Sequence, residues 1–270
     1  MKPSEDLSKA ERKRLKAQRR AEKDQRKFEK STSQAEYKET YTILCVRFGN
    51  KYGIEYVERL RNMVQRHCTL PYEFVCLTDD PTKISGVRNI VQPNAGYTKG
   101  WWHKVHMFDP GLPLRGRILY LDLDVVIIQS IDKILTHKSD KFLGIRDFNR
   151  KFYSGWKKLN SSVLAWNAGT NRHIYEDFKK SPKQAMNLHG DQDWIYKTCH
   201  STIEYFPDSW LKSYKWEIRS KQDLHIFQGK RNFKDVKNNV DPGIDCCIAV
   251  FHGDPNPNVV QDKIVVDNWR

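Results

Sequence analysis

The sequence lacks any apolar run that approaches the ~20 residues needed to span a bilayer. The charges near its start are not followed by the apolar core of a secretory signal. It has six cysteines but no Cys-x-x-Cys pair, and the neighbours Cys246 and Cys247 are poorly placed for a relaxed disulfide. We therefore expect buried, reduced thiols rather than a disulfide framework or a zinc site. Together these absences predict a cytoplasmic protein with no transmembrane segment.

The chain has a large excess of basic residues. Its 47 Lys and Arg against 33 Asp and Glu give a net charge of +14. Residues 1–38 hold thirteen basic and seven acidic residues, so they carry +6, and the remaining +8 lies on residues 39–270. This charge suits a nucleotide-sugar diphosphate, a nucleic acid or an acidic membrane surface equally well.

Residues 1–38 differ in composition from the rest of the chain. They are rich in Ala, Lys, Arg, Glu and Gln, which favour helix, but they show no apolar stripe that a helix could bury. We predict a basic tail that is helical or disordered. This tail is either simply solvated or makes a weak electrostatic contact with a membrane surface or with nucleic acid. If the contact is with a membrane, the protein is peripheral to that membrane. Residues 39–270 are predicted to form a single domain.

Strand and helix patterns alternate through the first part of this domain. The predicted strands are 41–46, 72–77, 87–91 and 117–121, and the predicted helices are 54–66 and 101–108. This order favours an α/β fold, a mostly parallel Rossmann-like sheet with helices on both faces. Such sheets bind ligands at the carboxyl ends of their strands, where polar residues follow Val46, Leu121 and Phe251.

The strongest local signal is the apolar strand that leads into Asp122, Leu123 and Asp124. In an extended chain the two carboxylates would lie on the same side of the strand. They would repel each other and be costly to bury, so a divalent cation with a preference for oxygen ligands, Mn²⁺ or Mg²⁺, would stabilise them. The alternative is a polar turn at the end of a strand.

Two further segments are candidates for the site. A predicted strand at 248–251 ends at His252 and Gly253, and a histidine beside carboxylates favours Mn²⁺, although a lone histidine can also be structural. In the segment 189–195, Asp191 lies near the start of a predicted helix. It either caps that helix or, with Gln192, faces a sugar.

Several motifs, taken in order, resemble those of a known family. These are WHKVHMF at 102–108, DLD at 122–124, NSSVLAW at 160–166, HGDQDW at 189–194 and FHGDPNP at 251–257. As an ordered set they resemble the GT-A glycosyltransferases, most closely the glycogenin-like and galactosyltransferase-like enzymes of family 8. The similarity spans residues 41–257, and its specificity comes from the order of the motifs.

The resemblance implies a retaining, metal-dependent hexosyltransferase that moves a sugar from a UDP-sugar to a hydroxyl acceptor, which is a saccharide, a lipid-linked glycan or a protein. By position it implies the following roles: metal ligands Asp122, Asp124 and His252; donor contacts Arg47, Asn50, Lys104, Asp122, Asn160, Ser161 and Gly253; and catalytic residues Asp191 and Gln192 beside the sugar.

The chain also departs from the family pattern. Family 8 usually has a lysine shortly after the metal histidine, whereas Asp254, Pro255 and Asn256 stand here. Another cation, such as Lys263, would have to contact the diphosphate. The first strand also lacks the acidic residue often found at its end. Two other functions stay open, namely a metal-dependent nucleotidyltransferase and a non-catalytic nucleic-acid-binding protein that uses the aromatic and basic segment 151–158.

Overall fold

The computed structural model describes residues 41–92, 98–219 and 240–270, together with Lys23 and the backbone of two strands at 224–227 and 230–233. Residues 41–270 form one unit by their contacts. Apart from Lys23, the predicted tail at 1–38 lies outside the described residues. Its structure and the boundary at residue 39 therefore stay predictions.

The centre of the fold is a seven-stranded sheet in the order β3-β2-β1-β4-β7-β6-β8. Its strands are β1 Tyr41–Arg47, β2 Tyr72–Thr78, β3 Arg88–Val91, β4 Arg117–Leu121, β6 Phe142–Arg146, β7 Leu159–Asn167 and β8 Ile203–Tyr205. Strands β1 to β4 pair in parallel, and only β7 runs antiparallel to its two neighbours. The predicted mostly parallel α/β sheet is confirmed.

The chain also forms two smaller sheets. One has the order β5-β12-β9, with β5 Val126–Ile127, β9 Leu211–Ser213 and β12 Ile248–Val250. The other is the antiparallel pair β10 Leu224–Phe227 and β11 Lys230–Phe233. The three-stranded sheet positions the site, because β5 begins just after Asp124 and β12 ends just before Phe251 and His252.

The helices fall between the strands. They are α1 Ile54–His67, α2 Asp132–Thr136, α3 His173–Lys180, α4 Pro182–Ala185, α5 Asp191–Cys199 and α6 Lys263–Asn268, with 3₁₀ helices at Gly100–Phe108, Phe148–Lys151 and Pro257–Val259 and a π-helix at Tyr214–Ile218. The segment predicted as a helix at 101–108 is thus a 3₁₀ helix. Within the part of the chain that the structure describes, no helix combines the length and hydropathy that a membrane crossing requires.

Alternate residues of β1 pack into two different cores, as expected for a strand buried on both faces. Ile43 belongs to the core that contains Val57 of α1. Leu44 belongs to the opposite core, which contains Trp102 of the 3₁₀ helix and Phe178 of α3. The sheet therefore carries helices on both faces, which leaves its carboxyl edge open for a ligand.

All six cysteines are free and buried, as the sequence predicted. Burial raises the pKa of five of the thiols, to about 12 for Cys199 and Cys246; the five are Cys45, Cys68, Cys199, Cys246 and Cys247. A buried thiol that stays protonated is a poor nucleophile and a poor metal ligand. The cysteines therefore contribute packing rather than chemistry.

Candidate active site

A cleft of about 550 Å³ opens at the carboxyl ends of β1 and β4 and beside the end of β12. It is lined by ten of the residues singled out from the sequence, which are Arg47, Lys104, Asp122, Asp124, Asn160, Ser161, Asp191, Gln192, His252 and Gly253. Asn50 is not among the lining residues and lies exposed in the turn after β1. The tertiary structure thus gathers segments that are up to two hundred residues apart.

Asp122 and Asp124 lie in a turn and not in an extended strand, so the geometric premise of the sequence argument was wrong. The Val125 N–H points back to the Asp122 carbonyl at 3.4 Å, and the Asp122 N–H donates to the Ser162 carbonyl of β7 at 2.9 Å. Leu123 between them is buried. Both carboxylates nevertheless line the cleft, because the turn wraps around this apolar anchor.

Lys104 connects two of the buried carboxylates. Lys104 lies on the 3₁₀ helix that follows Lys99. The Lys104 Nζ is 2.7 Å from Asp122 Oδ1 and 3.8 Å from Asp191 Oδ2. Burial alone would lower the pKa of Lys104, but the charges of Asp122 and Asp191 raise it above its ordinary value. Lys104 therefore stays an ammonium across the physiological range and fixes the distance between the two acids.

Asp191 is the first residue of α5 rather than its cap, which is Gly190. Its carboxylate accepts a hydrogen bond from the Ser161 hydroxyl at 2.6 Å, and the residue is only 5% exposed. Burial raises its pKa, against the opposing charge of Lys104. The start of a helix also favours a carboxylate, so α5 helps to hold this acid at the bottom of the cleft.

Asp124 has no cation in direct contact among the described residues. Its Oδ2 accepts a hydrogen bond from the Tyr52 hydroxyl at 2.8 Å, a neutral partner. Burial and the charge of Asp122 together raise the pKa of Asp124 to about 6. Lys104 pairs with Asp122 and Asp191, whereas Asp124 feels the charges of Lys104 and Lys51 only from a distance.

His252 lines the same cleft but is held by other groups. Its Nε2 lies 2.7 Å from the Ser213 Oγ, its ring stacks on Phe148 at 5.2 Å, and Trp216 meets it edge-on at 4.5 Å. Within residues 41–92, 98–219 and 240–270, no three His, Cys, Asp or Glu side chains are grouped closely enough to hold a metal ion. A complete three-residue ligand set is therefore not assembled here.

The acidic pair still fits a divalent cation. Mg²⁺ and similar ions are commonly held by one or two carboxylates, with substrate phosphates and water completing the shell. Asp122 and Asp124 supply such carboxylates next to a cleft wide enough for a phosphate-bearing ligand. Burial and the charge of Asp122 both raise the pKa of Asp124, and a cation between the two acids would offset both effects.

The end of β1 forms another wall of the cleft. Arg47 pairs with Asp80 at 2.9 Å, and the Gly49 N–H donates to the Asp79 carboxylate at 3.1 Å. Hydrogen bonds from Thr82, and then the Arg47 guanidinium, lower the pKa of Asp80 to about 2. The acids absent from the end of β1 are therefore supplied by the end of its parallel neighbour β2, which sequence order alone could not show.

A lysine does lie beside Gly253, but it comes from another part of the chain. Lys215 Nζ is 3.4 Å from the position that a Cβ on Gly253 would take, and it donates to the Asp254 carbonyl at 3.2 Å. Lys263, suggested from the sequence, instead pairs with Asp267 on exposed α6 at 2.5 Å. Gly253, with φ +65°, allows the turn that brings Lys215 close.

Several cleft residues were missed by sequence reasoning. These are Val46, Phe48, Lys51, Tyr52, Gly100, Trp101, His103, Tyr120, Leu123, Ser162, His189, Gly190 and Phe251. Tyr52 was the most detectable, because a tyrosine soon after a strand end can reach a neighbouring carboxylate. Phe48 stacks on His103 at 4.3 Å, a contact that depends on the packing of the 3₁₀ helix against β1.

Comparisons with known proteins agree on the fold. No family model and no curated protein matches the chain by sequence. An active-site mutant of LgtC shares 14% identity over 84% of this chain and 96% of its own, with a TM-score of 0.60. A second LgtC structure gives a TM-score of 0.58 with the same identity and coverage. It shows this galactosyltransferase in complex with donor and acceptor sugar analogs.

A second similar protein is much longer than the region that it shares with this chain. The glycosyltransferase GlyE of Streptococcus pneumoniae TIGR4 has 15% identity and a TM-score of 0.50. The match covers 66% of this chain but only 48% of GlyE, so the chain spans about half the length of that protein. At these identities the likeness shows a shared fold, and the chemistry has to be argued from the cleft itself.

Proposed function

We propose that the protein is a metal-dependent glycosyltransferase that moves a sugar from a UDP-sugar to a hydroxyl acceptor, with retention at the anomeric carbon. The observation that carries this proposal is the convergence of Asp122, Asp124 and the Lys104–Asp191 pair in one cleft at the carboxyl edge of the sheet. The fold is shared with LgtC, which is described in complex with donor and acceptor sugar analogs.

The charges of the cleft suit a nucleotide diphosphate bound through a cation. Asp122 and Asp124 would hold Mn²⁺ or Mg²⁺, and His252 would join them by giving up its hydrogen bond with Ser213. When bound, the metal supplies Lewis-acid stabilisation of the charge that develops on the diphosphate. Lys215, beside Gly253, adds a second positive charge at that end of the cleft.

In the proposed reaction the bond between the anomeric carbon and the diphosphate oxygen breaks, and its electron pair leaves with the nucleotide diphosphate. The acceptor oxygen then bonds to the anomeric carbon and gives its proton to the departing diphosphate. Because the leaving group gains charge, preorganised cations in a partly dry cleft lower the barrier.

Lys104 and Asp191 position the reacting sugar in this scheme. Asp191 is anchored by Ser161 at 2.6 Å and by Lys104, so its second oxygen and the neighbouring Gln192 can accept and donate hydrogen bonds to sugar hydroxyls. Asn160 and Ser161 lie on the adjoining edge of β7, where they border the same sugar.

The test is release of the nucleotide from a panel of UDP-, GDP- and CMP-sugars, with Mn²⁺ or with EDTA. We expect Mn²⁺-dependent release of UDP from one sugar, reduced about 100-fold in Asp124→Asn because the metal's stabilisation is lost. Asp132→Asn is the matched control, since Asp132 bonds to Thr69 and lies outside the cleft. It should release UDP at the wild-type rate.

A parallel arm separates this activity from nucleotidyl transfer. Nucleoside triphosphates with sugar phosphates would yield pyrophosphate if the protein were a nucleotidyltransferase. Pyrophosphate release without UDP release would contradict the proposal. Absence of both, together with no binding of UDP and Mn²⁺ by calorimetry, would reject the metal–nucleotide site altogether.

A further inference from the structure

We propose that the cleft contains a saccharide subsite formed by Trp101, His189 and Gln192, and that the acceptor presents a pyranose ring whose apolar face stacks on Trp101. This inference rests on the proposed function and specifies the acceptor as a sugar. It is drawn from the exposure of Trp101, the close approach of its ring to Gly190, and the polar groups around it.

Trp101 and Trp102 are neighbours on the 3₁₀ helix, but Trp102 is buried and Trp101 is exposed. Trp102 is 6% exposed and stacks on Phe178 at 5.9 Å, as expected for a core residue. Trp101 lines the cleft and is 53% exposed, and no described residue stacks on its ring. Leaving so large an apolar surface in water is unfavourable, so an indole in this position is suited to contact with a ligand.

The indole lies against the start of α5. An added Cβ on Gly190 would lie 3.3 Å from Trp101 Nε1 and 3.7 Å from its Cδ1, so only a glycine lets the ring approach this closely without adjustment. The φ of Gly190 is −170°, which any residue adopts. The close approach, and not the backbone, therefore accounts for the glycine.

This contact fixes which part of the ligand Trp101 can reach. Gly190 precedes Asp191, whose carboxylate is coupled through Lys104 to Asp122. In the proposed reaction the diphosphate lies at Asp122 and the transferred sugar lies beside Asp191. A group that contacts Trp101 is thus next to the sugar, where the acceptor must deliver its hydroxyl.

The polar residues beside Trp101 suit the rim of a sugar ring. His189 and Gln192 both line the cleft, and neither side chain has a hydrogen-bond partner among the described residues. A pyranose has an apolar face of C–H groups and a rim of hydroxyls. An exposed indole flanked by an imidazole and an amide offers complementary groups to both.

The experiment measures saccharide binding directly and needs no turnover. Saturation-transfer NMR would be recorded with methyl α- and β-galactoside, methyl β-glucoside, lactose and maltose. We expect at least one saccharide to bind the wild-type protein, to bind Trp101→Ala about tenfold more weakly, and to bind Trp101→Phe nearly as well. Tyr153→Ala is the control, because Tyr153 is 42% exposed but lies outside the cleft.

Calorimetry with UDP and Mn²⁺ on the same samples tests the proposed function separately. Nucleotide binding by all variants, with saccharide binding weakened about tenfold only in Trp101→Ala, supports the subsite. Equal saccharide binding by wild type and Trp101→Ala overturns it, as does a wild type that binds UDP but none of the sugars. Saccharide binding that depends on Trp101 in a protein that binds no nucleotide would support the subsite and reject the donor site. Circular dichroism and a thermal melt of each variant exclude misfolding as the cause.

Discussion

The carboxylate pair should destabilise the folded protein when no metal is bound, and Asp124→Asn should relieve that strain. Burial and the charge of Asp122 raise the pKa of Asp124 from 3.8 to about 6. Folding therefore favours the protonated acid, and the ionised form is penalised. The asparagine keeps a side-chain oxygen that can accept the hydrogen bond from Tyr52.

The size and pH window of the effect follow from that pKa. A rise in the pKa of Asp124 from 3.8 to about 6 corresponds to a loss of folding stability of at most about 3 kcal/mol when the acid is ionised. Below pH 3.8 the acid is protonated in both states and the penalty is absent. Between pH 3.8 and 6 the folded state binds more protons, so stability falls as the pH rises. Above pH 6 the full penalty remains.

The assay is urea or thermal unfolding in EDTA from pH 4 to pH 8. Asp124→Asn should match the wild type near pH 4 and exceed it near pH 8. For a domain of this size, 1 kcal/mol shifts Tm by about 2–4 °C, so a rise of about 6–12 °C is the upper bound. Added Mn²⁺ should stabilise the wild type and leave the variant unchanged.

Asp132→Asn serves as a control, because it should change the stability at neutral pH in the opposite direction. Although burial opposes it, hydrogen bonds from Thr69 lower the pKa of Asp132. Its ionised form therefore stabilises the fold above the unfolded pKa, and the asparagine should lower stability at neutral pH. An Asp124→Asn protein that is less stable than the wild type at pH 8 in EDTA, or a difference that does not change with pH, would refute the reasoning.

Three further outcomes follow from the structure. Gly144→Ala should lower the free energy of unfolding by about 1–3 kcal/mol in urea titrations, because the new Cβ would lie 2.4 Å from Leu159 Cδ1; unchanged stability would contradict this packing. Ser213→Ala should tighten Mn²⁺ binding up to about tenfold in calorimetry, since His252 no longer has to give up its hydrogen bond with Ser213; weaker binding would argue against His252 as a ligand. All six thiols should resist a disulfide reagent in the native protein and react after denaturation, because they are buried and free; rapid native reaction would disprove their burial.

Much of the fold could be predicted from local patterns. Strand β4 at 117–121 has the predicted bounds, and helix α5 begins at Asp191, close to its predicted start, because an apolar run and a helical spacing are set by neighbouring residues. The order of strands and helices also predicted the parallel sheet. The 3₁₀ geometry at 100–108 was not predictable, since its spacing of apolar residues resembles that of an α-helix.

The same limit applies to the site. Asp122 and Asp124 were identified by their place after a strand, yet the assumed extended geometry was wrong, and the turn around buried Leu123 is what exposes both acids to the cleft. The acids near Arg47 come from β2, and the lysine near Gly253 comes from the π-helix. These partners are distant in sequence, so no local pattern marks them.

The sequence by itself determined the α/β class, the carboxyl edge as the place for the cleft, and ten of the residues that line it. The class and the edge follow from hydrophobic periodicity and from polar residues at strand ends, which are local properties, whereas roles such as those of Lys104, Asn160 and Ser161 came from the resemblance to the GT-A glycosyltransferases. Only the tertiary structure decided that Lys104 bridges Asp122 and Asp191, that Ser213 holds His252, and that Trp101 faces the cleft while Trp102 enters the core. Such pairings depend on how separate elements pack in space, and the energy that selects them belongs to the assembled core rather than to any single segment.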